Sequence, residues 1–373
     1  MKINNSKNSV EALLVLAGIK INGVNPWDVR VHNDKFYRRV LSLGSLGLGE
    51  AYMDGWWDCE RLDEFFFRVL REDLSKKIRL DWRTLLEIAL AKIVNRQSKK
   101  RAFHVGERHY DLGNDLYEAM LDKRMIYSCA YWKDAQTLDE AQEAKLDLIC
   151  RKIGLEPGME ILDIGCGWAG FAKYAAEKYR VEVTGVTVSK EQEEFGKNLC
   201  KGLPVKIRLQ DYREVNGNYD RIVSVGMFEH VGYKNYKNFM NVANRCLRNG
   251  GLFLLQTNGM NESVTSTDLW LNKYIFPNSM LPSIKQLGKA CEELFIVEDL
   301  HNLSSHYDKT LLVWHQNFEK NWDKIKSNYN ERFYRMWKYY LLMCAGAFRA
   351  RKNQLWQIVL SKKSVVGGYY SIR

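Results

Sequence analysis

The chain has 373 residues, 46% of them hydrophobic, enough for one large core or two smaller ones, and its Gly and Pro content carries no disordered bias. Its eight Cys include no C-x-x-C pair and its seven His no H-E-x-x-H spacing, which argues against a disulfide framework and the common zinc sites and fits a reducing cytosol. A net charge of +11 and a pI near 9.1 favour an anionic partner, nucleic acid or the phosphate surface of a bilayer, while no apolar run approaches the roughly 18 residues a spanning helix needs.

Residues 9–19, S-V-E-A-L-L-V-L-A-G-I, predict a short helix with an apolar face, closed near its end by glycine. D-V-R-V-H at 28–32 alternates like a strand, and F-Y-R-R-V-L at 36–41 returns to a helical pattern. The glycine- and aromatic-rich stretch from Leu43 to Asp58 does not set its glycines between a strand and a helix, so it reads as a compact structural loop rather than a phosphate cradle. Helical periodicity resumes over 62–96, with Leu85, Ile88, Ala89 and Lys92 marking one segment. Residues 1–95 are thus expected to form a small accessory domain, and 96–373 the domain that carries the chemistry.

M-I-Y-S-C-A-Y-W at 125–132 crowds aromatics around Cys129; on the residues alone this is core packing, with the cysteine as a small buried hydrophobe. Thr137 and Glu140 then form an S/T-x-x-E capping box that opens a helix with Ala141, Ala144 and Leu148 on one face. From Met159 the pattern is strand, glycine turn, helix, strand, repeated. Strands are expected at 159–164, 181–188, 205–210, 220–225 and 251–257, and two late ones at 294–300 and 355–361. Alternation of this length predicts a doubly wound, Rossmann-like α/β sheet with ligands at the carboxyl ends of its strands, where Gly165, Thr187, Gln210, Glu229 and Gln256 fall.

The turn D-I-G-C-G-W-A-G, with Gly165, Gly167 and Gly170, presents backbone N–H groups at a helix start and suits a nucleotide-like cofactor. NAD and S-adenosylmethionine compete for such a turn. A dinucleotide fold places an acid at the end of the second strand, yet Thr187, Val188 and Ser189 occupy that place. Asp163, two positions before the first glycine, is the arrangement usual in S-adenosylmethionine-dependent methyltransferases. Ser189 and Gln192 also make an S-x-x-Q capping box, a role compatible with contact to the cofactor. Nucleic-acid methylation lacks support, since none of the five prolines makes the [DN]-P-P-[YF] or P-C motif of the common DNA enzymes.

Four motifs in order, Y-S-C-A-Y-W at 127–132, L-D-I-G-C-G-W at 162–168, R-I-V-S-V-G-M-F-E-H-V-G at 221–232 and H-Y-D-K-T-L at 306–311, closely resemble the cyclopropane-fatty-acyl-phospholipid synthases. The segments at 44–57, 97–102 and 272–278 are similar to the longer bacterial branch, which has an N-terminal domain and acts on membrane phospholipids. The resemblance implies transfer of the sulfonium methyl to a cis double bond of a phospholipid acyl chain and closure of a cyclopropane ring, with bound bicarbonate as base. Carried over residue by residue, the bicarbonate-holding Cys is Cys129, the Glu is Glu229 and the Tyr is Tyr307. The family's His falls on Gln256, whose amide donates a hydrogen bond but carries no proton, and the backbone contribution falls on Asn258. Tyr127, Ser128, Asp163, Gly165, Gly167, Thr187, Gln192, Gln210, Asp211 and Tyr212 are expected to line the cofactor.

The resemblance further implies a homodimer, bound peripherally at the inner face of the cell membrane. Lys99, Lys100, Arg101, Arg349, Arg351 and Lys352 are candidate headgroup contacts; a further basic cluster at Lys76, Lys77, Arg79 and Arg83 reads as solvated surface. Two other outcomes fit the residues: a lipid methyltransferase giving a methyl-branched or hydroxylated chain, should Gln256 weaken the base, and an inactive lipid-binding homologue.

Overall fold

A computed structural model of the chain describes residues 3–74 and 113–373. The first stretch carries α1 (Ile3–Leu16), β1 (Arg30–Val31), α2 (Lys35–Leu43), α3 (Ser45–Met53), β2 (Trp57–Asp58) and α4 (Leu62–Arg71). The second opens with α5 (Asn114–Met120) and α6 (Leu138–Lys152), followed by β3 (Glu160–Ile164), α7 (Gly170–Tyr179), β4 (Glu182–Thr187), α8 (Lys190–Leu199), β5 (Val205–Leu209) and β6 (Tyr219–Val225). It continues through α9 (Tyr236–Cys246), β7 (Leu247–Met260), α10 (Leu269–Tyr274), α11 (Ile284–Cys291), β8 (Ile296–Asn302), α12 (Ser304–Ile325), α13 (Glu331–Arg349) and β9 (Asn353–Ser361). The predicted helical segment at 85–92 and the clusters at Lys76–Arg83 and Lys99–Arg101 lie outside the described residues.

Two compact units account for these elements. One takes in the described part of Met1–Val94 with Ser266–Pro277 and Tyr307–Asn353; the other takes in the described part of Asn95–Thr265 with Asn278–His306 and Gln354–Arg373. Residues 266–277 and 307–353, grouped with the larger domain on sequence, fall with the N-terminal residues in this division.

In the first unit the expected loop at 43–58 is instead largely helix α3, and this is a correction. Its glycines serve close packing: a Cβ at Gly47 would run into the Arg39 carbonyl and one at Gly49 into the Trp270 indole. Gly346 of α13 likewise lies against Phe66 and the Asp63 backbone of α4. The expected strand at 28–32 shrinks to a two-residue pairing of β1 with β2. Arg349 engages Asp63 at 2.8 Å, Asp308 at 3.0 Å and Glu64 at 3.3 Å, and Lys352 engages Asp73 at 2.5 Å, so these two of the candidate headgroup contacts are held in ion pairs within this unit.

The second unit is built on a seven-stranded sheet in the order β5-β4-β3-β6-β7-β9-β8, with β3, β4, β5, β6 and β7 parallel and β8 antiparallel to β9. Helices cover both faces because the central strands are apolar on both sides. Ile161 joins a core with Leu146, Ile149 and Ala172, whereas Leu162 and Ile164 join the opposite core with Phe228, Phe239 and Phe253. Period-2 alternation therefore turns Asp163 toward the face that α6 covers. The strand order reverses between β3 and β6, which opens the crevice at their carboxyl ends.

Candidate functional site

The turn after β3 forms one wall of that crevice. Gly165 has φ +83° and Gly167 φ +54°, left-handed conformations that glycine adopts without the Cβ penalty, and nothing among the described residues lies within 4 Å of where a Gly167 Cβ would be. A Cβ on Gly165 would stand 2.6 Å from the Met227 side chain, so the turns after β3 and β6 meet there. At the third glycine, Gly170, the missing Cβ leaves room for Ile126 and the Arg124 carbonyl. Asp163, 2% exposed, has Oδ2 buried without a hydrogen-bond partner among the described residues. Burial pushes its carboxyl up to about 7, against the opposing pull of Lys145.

The segment 122–130 lines the same region. Asp122 accepts from the Arg124 and Ile126 N–H groups, and Gln142 Nε2 donates to the carbonyls of Ile126 and Ser128 at 3.3 and 2.8 Å. Ser128 is buried, with Cβ 3.9 Å from the position of a Gly226 Cβ. Tyr127 packs edge-on against Tyr117, which in turn packs on Trp168 of the glycine turn, whose Nε1 donates to Asn114 Oδ1. Cys129 is fully buried and its Sγ–H donates to the Ala130 carbonyl.

At the end of β4, Thr187 Oγ1 donates to Gln192 Oε1 at 2.8 Å and accepts from the Ser189 N–H. Ser189 caps α8 by accepting from Gln192 N–H, but the Gln192 side chain turns to Thr187, so only half of the expected box forms. Gln210 Nε2 donates to the Glu214 carbonyl of its own loop. Asp211 caps the turn at Tyr212–Glu214 through Oδ1, while Oδ2 stays buried without a partner among the described residues. The Tyr212 ring belongs to the core against Phe239.

Glu229 sits in a single helical turn just after β6, 5% exposed. Its Oε1 accepts from the Asn258 N–H at 2.6 Å, and Oε2 is buried without a partner among the described residues. Burial, partly offset by that N–H, pushes its carboxyl up to about 7. Gln256 aligns with Val225 in the pairing of β6 with β7 and, two residues from Asn258, shares its face of the strand. With the amides so assigned, Gln256 Oε1 accepts from Gln357 Nε2 at 2.9 Å, which leaves Gln256 Nε2 buried and unpartnered among the described residues. Asn258 Oδ1 is likewise unpartnered. An acceptor that can take a proton, an amide donor and an amide acceptor thus gather at one strand end, a set that fits a small oxyanion able both to accept and to donate. Neighbouring His230 is partly buried, and desolvation pushes its imidazole down to about 4.

Tyr307 belongs to the other unit, where its ring packs on Phe348 at 4.6 Å and edge-on to Trp314. Lys145, Gln142 and Gln357 carry no motif and escaped the sequence reading. The one available signal is a Lys on the apolar face of the helix that Thr137 caps, one turn from Gln142.

Comparison with known proteins joins this geometry to a family. The model of the mycolic acid cyclopropane synthetase family matches residues 97–358. The cyclopropane-fatty-acyl-phospholipid synthase of Escherichia coli K12 is 55% identical over 350 residues, covering 94% of this chain and 92% of that one. Cyclopropane mycolic acid synthase 3 of Mycobacterium tuberculosis is 36% identical over 275 residues, 69% of this chain and 96% of that one. Among solved structures, the cyclopropane synthase MmaA2 of Mycobacterium tuberculosis superposes with a TM-score of 0.66 at 31% identity, over 70% of this chain and 98% of that one. The mycolic acid cyclopropane synthase CmaA1, solved with SAH and CTAB, gives 0.65 at 33% identity with the same coverage. On these grounds the chain belongs to the cyclopropane synthase family of S-adenosylmethionine-dependent methyltransferases.

Proposed function

We propose that this protein transfers the methyl carbon of S-adenosylmethionine to the cis double bond of an unsaturated phospholipid acyl chain and closes a cyclopropane ring. The observation that carries the reading is the near full-length match to a relative named for that activity. The buried, unpartnered atoms of Glu229, Gln256 and Asn258 at the strand ends support it. When bound, S-adenosylmethionine supplies an electrophilic methyl, which the alkene attacks, and loss of a proton from the added carbon completes the ring. Asp163, Gly165, Gly167, Ser128 and Tyr127 form the seat for it, with Thr187, Gln192, Gln210, Asp211 and Tyr212 around the far end.

Glu229, Gln256 and Cys129 hold the base, which by family resemblance is bicarbonate; the same resemblance gives Tyr307 a share in that role. Gln256 Nε2 donates to the anion, while Glu229 Oε2 takes or gives a proton near neutral pH. The protein works as a homodimer at the inner face of the membrane, drawn to anionic headgroups by its net charge of +11. No helix among the described residues is long and apolar enough to cross a membrane.

Incubation of the purified protein with S-adenosylmethionine and vesicles of unsaturated phospholipid tests the reaction. A gain of one methylene with ring-specific fragmentation supports the proposal; absence of turnover sinks it. A second reading, a methyl-branched product, is favoured by one observation, the replacement of an ionisable side chain by Gln256, and the same fragmentation pattern separates the two.

A further inference from the structure

Lys145 lies on α6, 1% exposed, and donates through Nζ to Ser128 Oγ at 3.0 Å. One turn earlier on the same helix face, the fully buried Gln142 holds the Ile126 and Ser128 carbonyls. The groups that face this ammonium are Asp122, which anchors the start of the same segment, Cys129 and Asp163. The groups that face Asp163 in turn are Lys145 and the buried thiol of Cys166. A buried ammonium is costly unless charge compensates it, and here two carboxylates surround it without closing a direct ion pair, which leaves Asp163 Oδ2 free of hydrogen bonds among the described residues.

We propose that Lys145 is a positioning residue of the cofactor seat: fixed on the Ser128 hydroxyl, its ammonium favours the carboxylate form of Asp163, so that the seat is more anionic for a cationic ligand. The inference rests on the reading of this crevice as the S-adenosylmethionine site. The direction of the coupling follows from charge. Burial alone favours the neutral acid at Asp163, and the neighbouring cation opposes that; burial also pushes the Lys145 ammonium down to about 8, so each group holds the other in its charged form.

The test is calorimetric titration of the full chain with S-adenosylmethionine, in the absence of lipid, from pH 6 to pH 9, for wild type, Lys145→Met, Asp163→Asn and the double variant. Lys145→Met is expected to move the midpoint of the pH dependence upward, with affinity about tenfold lower at neutral pH and recovering at the alkaline end. Asp163→Asn and the double variant are expected to bind alike, within about twofold, because the lysine then has no charge to hold. A wild-type profile in folded Lys145→Met, or a loss equal at every pH, overturns the proposal. Should Lys145→Met not fold, the other pair decides: equal affinities support the proposal, and a further tenfold loss in the double variant overturns it. If wild type itself does not bind, it is the cofactor seat that is misplaced, not this coupling.

Discussion

Glu229 shows how one buried carboxylate ties stability to chemistry. Folding raises its carboxyl from an ordinary 4.5 to about 7, so the folded state keeps a proton that the unfolded state releases. Stability that Glu229 leaves intact below about pH 4.5 is therefore lost as pH rises toward 7 and stays lost above it. Glu229→Gln keeps the acceptor for the Asn258 N–H and removes the charge. It is expected to lower kcat by about a hundredfold or more while raising stability at pH 8 by up to about 3 kcal/mol, a gain that shrinks toward pH 5. Denaturant melts of both proteins at the two pH values check the second half. Gln256→His is the companion test. It restores a group that titrates near neutrality, and is expected to strengthen the dependence of rate on added bicarbonate; an unchanged dependence means that the amide already does what an imidazole would.

At the scale of elements, what the sequence declared locally held well. The Thr137–Glu140 capping box forms as expected, and Thr137→Ala is predicted to cost about 1 kcal/mol, read from the shift in denaturation midpoint. The strands at 159–164 and 205–210 lie within a residue of their expected bounds because apolar alternation and flanking turns are local signals. The stretch 43–58 failed for the opposite reason. Its glycines look like turn residues, yet Gly47 and Gly49 sit inside α3, where the backbone of α2 and the distant Trp270 indole approach them, contacts that only the packed helices reveal. Gly49→Ala ought by helix propensity to stabilise by about 1 kcal/mol; overlap with Trp270 is predicted to reverse the sign to a loss of about 1–3 kcal/mol, measurable in the same melts.

For the whole molecule, the charge of +11 predicts binding to anionic vesicles that weakens steeply with salt, and cosedimentation at low and physiological ionic strength checks it. Because Arg349 and Lys352 are held by Asp63, Asp308, Glu64 and Asp73, replacing either is expected to lower thermal stability more than vesicle affinity. The sequence by itself determined the alternation of strands and helices, the glycine turn with Asp163 before it, and, through its motifs, the family from which roles are proposed for Cys129, Glu229, Gln256 and Tyr307. These are legible because each depends on neighbours in the chain or on a fixed string of residues. Only the tertiary structure decided which atoms remain unpartnered at the strand ends among the described residues, that Gln357 orients Gln256, and that Lys145, fixed on Ser128, acts on Asp163. Those relations join β7 to β9 and α6 to β3 across long stretches of chain, and burial, which gives them their energy, is a property of the packed fold and of no local segment.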